Sequence, residues 1–122
     1  MVVEDDPGLM ALYEILLNGE GYSVIGAEDG EDALRVFDRV RMDIDLLIAD
    51  LFLPRMCALE MLTRMRASGP MPRVLICSGA IEPEMEIRMR ELGADGFLAK
   101  PFRNHQILGA IERMLVPIAE AA

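Results

Sequence analysis

Five times along its 122 residues the sequence sets a short apolar run ahead of a longer segment whose apolar residues recur at helical spacing. That alternation leaves few folds, because five strand-then-helix units in strict order build a parallel sheet with helices on both faces. The runs are Met1-Val2-Val3, then 22–27, 46–49, 74–77 and 97–99. Most are too short for a helix, and the run at 46–49 has the continuous apolar character of a strand buried on both faces.

The helical stripes follow each run. Leu9, Leu12, Tyr13, Leu16 and Leu17 form one buried stripe of a helix over 7–18. Asp6 is its cap, Pro7 its first residue, and Asn18-Gly19 its left-handed stop. Ala33, Leu34, Phe37 and Val40 mark a second helix after Asp29-Gly30, and Ala58, Met61, Leu62 and Met65 a third that ends at Ser68-Gly69-Pro70. Pro83, Met85, Met89 and Leu92 give a fourth, closed by Gly93, and Ile107, Leu108, Ile111, Met114 and Leu115 a fifth. A chain of this length holds one core, so residues 1–117 are read as one domain and 118–122 as a frayed C-terminal tail.

The formal net charge of −9 repels nucleic acid and anionic lipid, and Arg35, Arg39 and Arg41 are interleaved with acids rather than gathered into a basic patch. Direct nucleic-acid binding and membrane association are therefore not expected. No apolar run approaches the roughly 20 residues of a membrane span, and the start lacks a signal-peptide pattern, which together indicate a cytoplasmic protein. Cys57 and Cys77 lack the close spacing of zinc ligands and are read as reduced, structural thiols. His105 has no partner that suggests a metal or phosphohistidine role and is expected to be exposed.

The chemistry lies where the strands end. Glu4 and Asp5 follow strand one, Asp50 ends strand three, Ser78 ends strand four and Lys100 follows strand five. In open α/β sheets, ligands bind beyond the carboxyl ends of the strands. Neighbouring strands lie about 4.8 Å apart, so three carboxylates converge there if strands one and three are adjacent. Such a cluster calls for a cation, and oxygen-only ligation favours Mg²⁺. A hydroxyl and an ammonium opposite are placed to hold phosphate oxygens, as in phosphoryl transfer.

With these residues in view the sequence resembles the receiver domain of two-component response regulators over essentially its whole length. The matching pieces are Val2-Val3-Glu4-Asp5-Asp6, Asp50-Leu51-Phe52-Leu53-Pro54, Ser78-Gly79-Ala80 and Phe97-Leu98-Ala99-Lys100-Pro101-Phe102. The resemblance implies a flavodoxin-like, doubly wound five-stranded parallel sheet in the order 2-1-3-4-5 with five helices. It implies that Asp50 accepts a phosphoryl group from a sensor histidine kinase or phosphotransfer protein. Glu4, Asp5, Asp50 and the main-chain carbonyl of Phe52 would hold Mg²⁺, Ser78 and Lys100 would bind the phosphoryl oxygens, and Ser78 with Phe97 would form the switch. Phe52 and Ala80 would flank the path of the hydrolytic water. A partner surface, possible as a homodimer contact, is implied on helix four, strand five and helix five.

Strand one is shorter than family members usually show, which points to a truncated or misassigned start. Ala58 replaces a usual glycine, and Phe52 stands where polar side chains are common. The chain shows no effector domain, so it is either a stand-alone regulator or the receiver of a longer protein. Two rival readings remain. One is a receiver-like interaction module that no longer cycles phosphate. The other is a phosphatase of the haloacid-dehalogenase type, which resembles Asp-x-Asp at its nucleophile, whereas Asp50-Leu51-Phe52 lacks the second acid.

Overall fold

The computed structural model describes residues 1–115. Strands β1 (Val2–Val3), β2 (Gly26–Ala27), β3 (Leu46–Asp50), β4 (Arg73–Ser78) and β5 (Gly96–Ala99) alternate with helices α1 (Pro7–Gly19), α2 (Gly30–Val40), α3 (Ala58–Ala67), α4 (Pro83–Glu91) and α5 (Asn104–Leu115). The strands form one sheet, all pairs parallel, in the order β2-β1-β3-β4-β5. The expected flavodoxin-like topology is therefore present, and it makes β1 and β3 neighbours.

Side-chain alternation along the central strands explains the two helical layers. Val3, Leu47, Ala49, Val74 and Ile76 face one cluster with Phe37, Met61, Leu62, Met65 and Met89. Val2, Leu46, Ile48, Leu75 and Cys77 face the other, with Tyr13, Leu17, Ile107 and Ile111. The α3 stripe is buried as read, all four residues completely.

Three local readings need correction. The second strand is confined to Gly26–Ala27 instead of 22–27, because its partner β1 has only two residues, which pair with Gly26 and Ala27. On α1, Tyr13 and Leu17 are buried but Leu12 is 37% exposed, since five residues at that spacing span a wider arc than the sheet covers. The left-handed stop of α1 is Gly21, with φ of 88°, and not Gly19. Tyr22 N–H donates to Leu17 O and Gly21 N–H to Asn18 O, the paired bonds that close a helix through a left-handed residue. The Asp6 cap is as read, its carboxylate accepting from Gly8 N–H at 2.9 Å, and Gly93 ends α4 at φ of 104°. His105 is exposed as expected. The expected tail, 118–122, lies outside the described residues.

Candidate functional site

Parallel pairing brings the carboxyl ends of four strands to one edge, and the sequence places charge there. Val3 pairs with Ala49, so Glu4 emerges beside Asp50. Ser78 pairs with Ala99, and Lys100 N–H then donates to Ser78 O at 2.8 Å, which carries the lysine to the same edge. Its ammonium donates to Glu4 Oε1 at 2.8 Å and to Asp50 Oδ2 at 2.6 Å. The remaining oxygens take backbone donors, Glu4 Oε2 from Asp6 N–H and Asp50 Oδ1 from Phe52 N–H, each at 3.1 Å.

Glu4 is only 3% exposed, Asp50 is half-buried and Asp5 is exposed beside them. Ligand oxygens of the three lie within 4.8 Å of one another. Burial pulls the pKa of Lys100 down, but its hydrogen bonds to Asp50 and Glu4 outweigh this and hold it above the ordinary lysine value. Three carboxylates against one ammonium leave two formal negative charges in a ring of oxygen donors. That donor set suits a hard divalent cation such as Mg²⁺.

The other sequence-selected residues are arranged more loosely. Ser78 is 1% exposed, and its hydroxyl donates to the carbonyl of Ala80 at 3.3 Å rather than to a member of the charged cluster. Ala80 itself is exposed. Phe52, whose backbone N–H bonds Asp50, is 67% exposed. Phe97 is half-buried on the core, with the Arg90 guanidinium 4.7 Å above its ring centre. The Lys100–Pro101 peptide bond is cis.

Directly beneath the site lies a pair that strand and helix patterns did not single out. Cys77 sits opposite Asp50 in the β3–β4 register, and it is buried in one cluster with Tyr13. Burial pushes the Cys77 thiol up to about 11 and raises Tyr13 as well, so both stay protonated at neutral pH. The Tyr13 ring leans on Phe102, centroids 5.9 Å apart. Only the apolar setting of these residues was visible in sequence. Cys57, read as structural, is exposed, while Cys77 is buried, and both are free thiols.

A family model described as the response regulator receiver domain matches residues 1–112. The transcriptional regulatory protein CpxR of Escherichia coli is 34% identical over 115 residues, which cover 94% of this chain and 48% of that protein. The transcriptional regulatory protein GlrR of Escherichia coli is 33% identical over 122 residues, 99% of this chain and 27% of its own length. The chain thus spans about half the length of the first of these relatives, or less. Among solved structures, the chemotaxis response regulator CheY4 of Vibrio cholerae superposes with a TM-score of 0.83 at 28% identity, covering 93% of this chain and 95% of that one. The N-terminal domain of an uncharacterized protein from Wolinella succinogenes gives 0.82 at 31% identity, covering 93% and 90%.

Proposed function

This chain belongs to the response regulator receiver family, and from that premise we propose that Asp50 accepts a phosphoryl group from the phosphohistidine of a sensor kinase or phosphotransfer protein. An Asp50 carboxylate oxygen attacks phosphorus as the P–N bond breaks, and the electron pair leaves on the imidazole nitrogen. The observation that carries the reading is the Lys100 ammonium, which spans Glu4 and Asp50 at 2.8 and 2.6 Å. It is already placed against the Asp50 carboxylate, where fixed positive charge lowers the cost of the developing anion.

Glu4, Asp5, Asp50 and the Phe52 carbonyl would hold Mg²⁺, which when bound neutralises phosphoryl charge. Lys100 and Ser78 would bind phosphoryl oxygens. For Ser78 that means giving up its 3.3 Å bond to Ala80, and the vacated space lets Phe97 turn inward. The surface of α4, β5 and α5 then changes for a partner, either a second copy or another protein. No reaction on an external substrate is part of this reading, which takes 1–117 as the receiver domain, 118–122 as its tail and the cytoplasm as its location.

The test is mass spectrometry after incubation with acetyl phosphate and Mg²⁺. The wild type should gain one phosphate and Asp50→Asn none. Equal labelling of the variant would overturn the assignment.

A further inference from the structure

The loop between Asp50 and α3 holds a conformation that its own sequence does not favour. Met56 N–H donates to Pro54 O at 2.7 Å, and Arg55 between them has φ of 65°. A three-residue turn with a left-handed centre is rare and strained for a residue that carries a side chain. Contacts from outside the loop are needed to hold it.

The start of α2 supplies them. Asp29 is 3% exposed, and its two oxygens have separate tasks. Oδ1 accepts from Asp32 N–H at 2.8 Å and caps the helix, while Oδ2 meets the Arg55 guanidinium at 3.2 Å. Next to it, Gly30 lies flat against Met56. A Cβ at position 30 would fall 2.5 Å from the Met56 carbonyl oxygen and 2.8 Å from its Cβ, so any side chain there displaces loop backbone. Met56, 7% exposed, is thereby pressed into the core. The same loop is closed by Ala58 N–H on Leu51 O and carries Phe52, whose N–H holds Asp50 Oδ1.

We propose that Asp29 and Gly30 are positioning residues that clasp the Arg55 turn and so fix the Phe52 backbone beside Asp50. This rests on the phosphoacceptor reading above and adds to it a device on the neighbouring β2–α2 connection. Its energetic logic is specific. The ion pair matters because residue 55 is strained, so a glycine at 55, which adopts positive φ freely, removes the need for the clasp.

That logic sets the experiment, a Mg²⁺ titration followed through backbone amide shifts of 51–58 on the wild type, Asp29→Asn, Arg55→Gly and the double variant. Asparagine caps a helix as well as aspartate does, so α2 is kept. Asp29→Asn should weaken Mg²⁺ about threefold, the range of a half-exposed ion pair. Arg55→Gly should bind like the wild type, and adding Asp29→Asn to it should change nothing further. Gly30→Ala should cost about tenfold, as loss of support around a metal site does, and glycine at 55 should not restore it. If Gly30→Ala fails to give a folded amide spectrum, the other four proteins still decide the matter. An Asp29→Asn effect that is absent, or equal in both backgrounds, would overturn the clasp while wild-type labelling at Asp50 leaves the phosphoacceptor reading intact. A wild type that takes neither Mg²⁺ nor phosphate would remove both.

Discussion

The site has two halves built to different tolerances. On the β1–β3 side Glu4 and Asp50 are joined by short charge-assisted bonds to Lys100, which reaches across from the end of β5, and both also take backbone N–H donors. On the β4–β5 side Ser78 has a single long local bond and Phe97 is only half-buried under an exposed arginine. The first half is set before any phosphoryl group arrives, whereas the second has room to rearrange. A device that must both bind an anion and report it benefits from that division, since preorganisation belongs to binding and slack to the population shift.

The largest effect should come from breaking the rigid half. Lys100→Met leaves Glu4, which is 3% exposed, and Asp50 without a counter-charge. Wholly buried pairs lose about 3–5 kcal/mol when one partner is removed, and the partial exposure of Lys100 brings the expectation nearer about 2 kcal/mol by urea unfolding. Because the lysine pKa is raised above 10.5 in the folded state, its contribution is complete below that value and fades as pH climbs through the folded pKa. The gap between wild type and variant should therefore narrow at high pH. A variant within about 0.5 kcal/mol of the wild type at neutral pH would show that the lysine is no keystone.

A smaller effect should appear in the looser half. A phosphoryl mimic should shift the amide resonances of 83–110, from α4 into α5, more than those of 58–67 in α3. Unchanged resonances over 83–110 would break the comparison, because slack without movement is only poor packing. The least effect is expected on lifetime. Phe52 is exposed by the carboxylates and Ala80 is exposed by Ser78, and neither side chain can orient a water. Phe52→Asn should release phosphate a few-fold faster, roughly the scale of one added hydrogen bond. A rate that holds level or falls would defeat the shielding idea for Phe52.

Most of the rigid half was legible because it is written in residue type and position together. A carboxylate or lysine at the end of a short apolar run has one place to go once the strands are parallel. The α3 stripe was equally plain, since its four residues keep helical spacing and all reach the core. What escaped were relations between segments. The Asp29–Arg55 pair joins two loops that have no periodicity to align them, and Tyr13 meets Cys77 only because α1 packs on that face of β4. β2 was drawn too long for a related reason, as an apolar run cannot tell how many residues its neighbour offers for pairing.

The contrast between the two cysteines also makes the molecule a convenient carrier of probes. Thiolate is the species that attacks alkylating reagents, so the buried Cys77, with its pKa pushed up to about 11, is doubly protected. Cys57 stands exposed just ahead of α3, at the far end of the loop that starts at Asp50. A maleimide dye or spin label added to the unmodified sequence therefore finds one address, a few residues along the chain from the acid cluster.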